Sequence, residues 1–199
     1  MNTKRIELFL LILILGSIWG FFEMIALPVF LMCAIGVLIL TLGRRFIDIP
    51  GTSILIGLIV CVYKTYSANF FICQWAGVMA LAVSFDFFTS VVFKKNWLQK
   101  FNPVFLGVLT NIFAAIVFLA TVNYIFIEPY WPEGGAQRAL DYLLTRGLPA
   151  AALSGLISVP LGVYVADKMM KLEFSLYRRL IPGFYLFAII FLWFIATIH

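Results

Sequence analysis

The stretch Gly16-Ser17-Ile18-Trp19-Gly20-Phe21-Phe22-Glu23 closes the first long apolar segment of the chain, which begins near Ile6. On a helix, both glycines, Trp19 and Glu23 share one face, because side chains three and four residues apart lie above one another. Glu23 ends this face with a carboxylate in or near hydrocarbon, where an unpaired charge is costly and marks a functional-site hypothesis. The alternative interpretation is that Glu23 simply reaches water at the helix end.

The composition is typical of a polytopic membrane protein. Of the 199 residues, 64% are hydrophobic and only 12% are charged, and the mean hydropathy is +1.08. A soluble domain carries about 25% charged residues. Lys4 and Arg5 precede the first apolar run as in a signal peptide, but aromatic residues occupy the place of a cleavage site, so we predict an uncleaved helix. The net charge is +5, but the basic residues lie between apolar segments, so it does not indicate nucleic-acid binding.

The spacing of apolar runs predicts an all-α fold, a single transmembrane helix bundle over residues 1–199 with six to seven membrane segments. The predicted segments are 6–27, 28–43, 52–66, 70–93, 103–127, 148–166 and 180–198. The second and third are short for complete spans. Between the fifth and sixth segments, the aromatic stretch 128–135 is followed by residues 136–146, whose leucines share one face and predict a short interfacial helix.

The basic residues predict the orientation. If the N-terminus is cytoplasmic, eleven of the 14 Lys and Arg residues fall on the cytoplasmic side, and only Lys64, Arg138 and Arg146 fall on the other. Because basic loops stay in the cytoplasm, this asymmetry predicts a multi-pass protein of the cell (cytoplasmic or inner) membrane with its N-terminus inside and its C-terminus outside.

Small residues predict where helices pack closely. Gly16 and Gly20 lie on the first helix, and a stripe at helical spacing follows the sixth segment, including Ala151, Gly155, Ser158 and Gly162. Such stripes allow close helix–helix approach in lipid, either inside the bundle or against a partner subunit. Pro160 is expected to kink the sixth helix, because it cannot donate a hydrogen bond to the carbonyl of Leu156.

Several polar and aromatic side chains share one depth, near the outer ends of four predicted helices. An apolar pocket with a few convergent polar groups is typical of small-molecule sites. We therefore predict a substrate-binding pocket; the alternative is an aromatic belt with one Glu–Lys pair. The predicted substrate-binding residues are Trp19, Glu23, Tyr63, Lys64, Gln74, Trp75 and Asn123. Asp86 and Asn111 lie at a second depth, where a structural hydrogen bond between adjacent helices is expected.

The motifs of known catalytic and metal sites are absent from the sequence. It has no GxSxG, HExxH or Walker motif, and the one histidine is His199, so we predict neither an enzyme nor a cofactor. Cys33, Cys61 and Cys73 form no CxxC motif, and their odd number does not fit a disulfide framework. Thiols and thioethers suit Cu(I), but Cys and Met are also ordinary buried side chains, so no metal site is predicted.

Several short motifs lie in the first third of the chain: residues 15–20 (Leu-Gly-Ser-Ile-Trp-Gly) with Glu23, then 42–45 (Leu-Gly-Arg-Arg), 50–53 (Pro-Gly-Thr-Ser), Gly57 and Lys64. In these motifs the chain resembles substrate-binding S components of energy-coupling factor (ECF) transporters. The resemblance implies a subunit that captures a vitamin or metal ion outside, while a transmembrane coupling subunit and ATPases power its release inside. The alternative function is a non-catalytic structural or assembly subunit that docks a membrane complex through its small-residue helix faces.

Overall fold

Six helices follow one another along the described part of the chain. In this computed structural model, that part comprises residues 3–25, 27–66, 72–99, 102–125 and 137–171. The first five helices are α1 (Thr3–Met24), α2 (Val29–Phe46), α3 (Thr52–Thr65), α4 (Ile72–Phe87) and α5 (Asn102–Tyr124). A π-helical turn (Phe88–Val92) extends α4 and a 3₁₀ turn (Lys94–Asn96) follows. The sixth helix, α6, covers Gln137–Met170. The predicted segment 180–198 and the aromatic stretch 128–135 lie outside the described residues.

The all-α prediction is confirmed for the described residues, in which every regular element is helical. Five helices are long and apolar enough to cross a membrane, namely α1, α2, α4 with its π turn, α5 and α6. Only α3 is shorter, with 14 residues. At ~1.5 Å per residue it reaches about two thirds of the ~30 Å hydrocarbon core. The chain is therefore built as a multi-pass membrane bundle.

The predicted interfacial helix at 136–146 is wrong as a separate element, because the helix that begins at Gln137 runs on through the sixth segment. Two π-helical turns, Leu143–Gly147 and Ser154–Ser158, interrupt its α-helical geometry. Each turn ends two residues before a proline, Pro149 or Pro160. A proline cannot donate to the preceding turn and its ring presses on it, so a widened turn lets the helix continue.

The helices form a ring in the order α1, α3, α4, α5, α6 and α2, with each packed against the next. Beyond its ring neighbours, α2 also contacts α3 and α4. Val37 and Leu40 of α2 are fully buried, as are Ile56 of α3 and Leu106 of α5. The hydrophobic core therefore lies along α2, and the outward faces carry large exposed apolar side chains such as Leu58 and Ile116 that suit contact with lipid.

The small residues lie where helices approach most closely. A Cβ atom added at Gly16 or Gly20 would fall within 3 Å of Ile59 or Tyr63 on α3. Ala151 and Ser158 of α6 are buried, and added Cβ atoms at Gly155 and Gly162 would meet α5 and α2, respectively. The small-residue stripe of α6 therefore packs inside the bundle at these positions.

The two ends of the bundle have different structures. At the Glu23 end, α1, α3 and α5 finish while α2, α4 and α6 begin; at the opposite, Arg44 end, α2 finishes and α3 begins. The tight turn into α3 requires Gly51, whose φ of 91° is a left-handed conformation that favours glycine. These two ends hold the buried charges of the molecule.

Candidate functional site

A cavity of about 710 Å³ opens at the Glu23 end and extends between the helices of the ring. Its lining draws on all six helices, from Trp19 on α1 to Ala150 on α6. This volume falls within the ~300–1,000 Å³ typical of small-molecule sites. Its polar and charged lining side chains are Glu23, Lys64, Gln74, Asn111, Arg138, Asp141, Thr145 and Arg146.

One wall of the cavity is a closed set of three interacting side chains. The Lys64 ammonium lies 2.9 Å from Glu23 Oε2 and also donates to the backbone carbonyl of Glu23 at 2.6 Å. The indole Nε1 of Trp19 donates to Glu23 Oε1 at 3.1 Å. Both carboxylate oxygens therefore accept a hydrogen bond from the protein. Lys64 also satisfies a carbonyl in the last turn of α1, where the helix itself supplies no donor.

The local sequence explains how this wall is built. Trp19 is 1% exposed, and its ring lies against Gly36 of α2, where an added Cβ would come within 2.7 Å of the indole. Gly20, the next residue of α1, faces Tyr63 of α3 in the same way. Because α1 and α3 touch at Gly16 and Gly20, Glu23 and Lys64 at their ends are close enough to pair.

The cavity extends down to the middle of the bundle. Asn111 lines it from α5 and is 3% exposed, and its Nδ2 donates to the Gly107 carbonyl at 3.1 Å. Asp86, the expected partner of Asn111, instead bonds at the Arg44 end, so the predicted hydrogen bond between them is wrong. Above Asn111, the rings of Phe118 and Tyr142 lie 5.3 Å apart and form an aromatic wall.

The first turns of α6 supply the opposite wall. Arg138, Asp141, Tyr142, Thr145 and Arg146 all line the cavity, and none of them was predicted as a site residue. The π turn Leu143–Gly147 contains two of them. π turns occur frequently at functional sites. The helical spacing of these five residues is the signal that would have identified them, had 136–146 been assigned to the sixth helix.

The structure brings together four of the seven predicted substrate-binding residues, namely Trp19, Glu23, Lys64 and Gln74. Tyr63 is buried at 1% exposure against Gly20 and does not line the cavity. Trp75 lines a separate, smaller depression between α4 and α5. Asn123 donates to the Leu119 carbonyl of its own helix and also lies outside the lining.

The cysteines divide between two environments. Cys33 and Cys73 line the cavity, whereas Cys61 is 4% exposed in the core and does not. Among the residues that the structure describes, no three His, Cys, Asp or Glu side chains are grouped as a metal site would need. The cavity lining is therefore organised around hydrogen-bonding groups and aromatic rings.

A second cluster of charges lies at the Arg44 end. The guanidinium of Arg44 is 3.1 Å from Asp48 and 3.9 Å from Asp86, and Nη2 donates to Ser90 Oγ at 3.2 Å. Asp86 Oδ2 accepts the backbone N–H of Gly51 at 2.9 Å, just before α3 begins. These contacts join the end of α2, the start of α3 and the end of α4 with its π turn. Neither of the two described cavities is lined by these residues.

Neither a protein-family model nor a curated protein nor a solved structure matches the chain.

Proposed function

We propose that this chain is the substrate-binding subunit of a membrane transporter, which captures a small micronutrient in the cavity at the Glu23 end. The observation that carries the proposal is the cavity itself, about 710 Å³ in volume and surrounded by six helices. Most of its lining residues are apolar or aromatic, and polar and charged groups converge on the same space, as in small-molecule sites.

The Glu23–Lys64 pair, which borders the cavity, supports a ligand-binding role for Glu23 over a purely structural one. Glu23 and Lys64 are only 12% and 11% exposed as side chains, yet both border the cavity. Burying them there is costly, and the pairing offsets only part of that cost. A rigid, pre-organised wall lowers the ordering cost of ligand binding. A ligand-binding role therefore explains why Glu23 and Lys64 lie beside the cavity.

The packing of α6 also bears on the alternative function. Gly155 and Gly162 contact α5 and α2 of the same chain, so these positions are not available to dock another subunit. An assembly subunit that docks through this stripe is correspondingly less well supported. The transport proposal still needs partners, because the sequence has no nucleotide-binding motif; a transmembrane coupling subunit with ATPases, as in ECF transporters, would supply the energy.

The proposed orientation places the N-terminus in the cytoplasm and the Glu23 end outside, since basic residues concentrate at the Arg44 end. A cysteine introduced at position 95, in a variant without native cysteines, tests this orientation. We expect a membrane-impermeant maleimide to label it only after the membrane is opened. Labelling from the outside of intact cells would reverse the orientation and with it the direction of capture.

Mass spectrometry of compounds that copurify with the protein in mild non-ionic detergent tests the proposed function. Gly77 lines the cavity, and a Cβ there would meet Phe118 at an ordinary 3.8 Å. Gly77→Ala is therefore a matched control that fits, whereas the larger side chain of Gly77→Leu occupies cavity space. We expect wild type and Gly77→Ala to retain the same compound and Gly77→Leu to lose it at unchanged thermal stability.

The contradicting outcomes are specific. Retention of the compound by Gly77→Leu would place its site outside the cavity. If no compound is enriched in wild type, but a second membrane protein copurifies in stoichiometric amount from native membranes, the assembly function is the better explanation.

A further inference from the structure

The charges of the cavity lining are unequal. Among the described residues of the lining, three cations (Lys64, Arg138 and Arg146) and two carboxylates (Glu23 and Asp141) border the same cavity. Glu23 is already engaged by Lys64 and Trp19. Asp141 is exposed, as is Arg146, and Asp141 Oδ1 accepts a bond from Gln137 at 3.4 Å. Among the described residues of the lining, both carboxylates therefore already accept a hydrogen bond from the protein.

Two of the cations, in contrast, still have N–H donors for a ligand. Among the residues that the structure describes, Arg146 forms no ion pair, and its guanidinium carries five N–H donors in a fixed fork. Lys64 uses two of its three ammonium protons, one on each of two Glu23 oxygens, and the third remains. These two donors come from α6 and α3, so they reach the cavity from different helices.

An excess of one sign of charge in a cleft with low-dielectric walls focuses the electric field and concentrates ligands of the opposite sign. We propose that the cavity selects an anion, a small molecule with an acidic group on an apolar or aromatic body, and that Arg146 anchors the acidic group. The apolar body would lie against Phe118 and Tyr142. This inference rests on the proposed function, since it assigns the chemical class of the captured substrate.

The native Cys73 provides a direct probe of the potential inside the cavity, because it lines the same space. The full chain is prepared with Cys33→Ala and Cys61→Ala in non-ionic detergent. Cys73 is then modified by the anionic 2-sulfonatoethyl and the cationic 2-(trimethylammonio)ethyl methanethiosulfonate reagents. Each rate is divided by the rate of the same reagent with a small free thiol, which removes intrinsic differences in reactivity.

We expect the normalised anion-to-cation ratio to exceed one and to fall about tenfold in Arg146→Gln, because one unit charge acts oppositely on the two reagents. Arg146→Lys keeps the charge and should keep most of the ratio. Arg45→Gln, at the far end of the bundle, should leave it unchanged. Neutral methyl methanethiosulfonate should modify Cys73 equally in all variants, which controls for altered folding or access.

A ratio below one in wild type, or an unchanged ratio in Arg146→Gln with normal neutral labelling, overturns the inference. If Arg146→Gln alters labelling by the neutral reagent, the anion-to-cation ratio of Arg146→Lys is the test. Loss of the high ratio in Arg146→Lys, which keeps the charge, overturns the anchoring role of Arg146. The proposed function fails separately, when no compound is retained by the purified protein. A retained compound that is cationic would refute the anion while leaving substrate capture intact.

Discussion

The Glu23 end and the Arg44 end of the bundle each bury an acid with a base, but they do so in opposite surroundings. At the Glu23 end, the Glu23–Lys64 pair borders a cavity of about 710 Å³. At the Arg44 end, Arg44 is 2% exposed and interacts with Asp48, Asp86 and Ser90 among packed helices. A buried acid–base pair therefore borders a cavity at one end and connects packed helices at the other.

The two ends differ in what their buried charges hold together. The Arg44 cluster connects three helices, and Asp86 also holds the N–H of Gly51 where α3 begins. The proposed binding site lies at the opposite end, where the helix ends surround a cavity instead of packing densely. Binding sites are commonly drawn from the less stable parts of a fold.

The largest effect is expected from Arg44→Met, which keeps the length of the side chain and removes its charge. Asp86 would then be a buried carboxylate without a cation, and breaking one side of a buried pair costs about 3–5 kcal/mol. The free energy of unfolding, measured by SDS titration in mild detergent, should fall by this amount. Substituting Asp86→Asn in the same chain should recover part of the loss, because the amide oxygen still accepts the Gly51 N–H.

If Arg44→Met were as stable as wild type, the cluster would not anchor its end of the bundle, and the contrast between the ends would fail.

The amino-acid sequence predicted the all-helical fold and the approximate positions of most of the described helices, but not which way each side chain points. The pocket hypothesis and the aromatic-belt alternative both allowed Glu23 and Lys64, placed at one depth, to pair, and they lie 2.9 Å apart. Depth leaves rotation about the helix axis open, and successive residues differ by about 100°. Tyr63 does not line the cavity although Lys64 does, and Trp75 does not although Gln74 does.

Two further features were missed for identifiable physical reasons. The wall formed by α6 was missed because Gly147 and Pro149 resemble a helix break, whereas a π turn carries the helix through them. Arg44 was interpreted only as a basic residue of the cytoplasmic side and of the 42–45 motif, because charged side chains at helix ends commonly reach the headgroups. It is instead buried near Asp86, a residue 42 positions away, and a single sequence does not reveal such pairs.

The second prediction sharpens the contrast with the matching substitution at the other end. Lys64→Met should cost about 1–3 kcal/mol, less than Arg44→Met, because water in the cavity can solvate the carboxylate that is left behind. The same SDS titration measures it. Glu23→Gln in the Lys64→Met chain should restore stability but not the copurifying compound. Equal losses at the two ends would indicate that cavity water does not solvate Glu23.

The smallest effect is expected at Arg45, which neighbours Arg44 in the sequence but not in its surroundings. Its Nε donates to Asp167 Oδ1 of α6 at 2.7 Å, a shorter contact than any that Arg44 makes to a carboxylate. Distance alone would therefore rank Arg45 as the stronger anchor. Its side chain is 31% exposed, however, and that of Asp167 is 41% exposed, so water and salt screen the pair.

Arg45→Gln should change the free energy of unfolding by less than about 1 kcal/mol. Raising the salt concentration should reduce even this difference, while the loss in Arg44→Met should persist. If Arg45→Gln instead cost as much as Arg44→Met, contact distance rather than burial would govern the charges at this end.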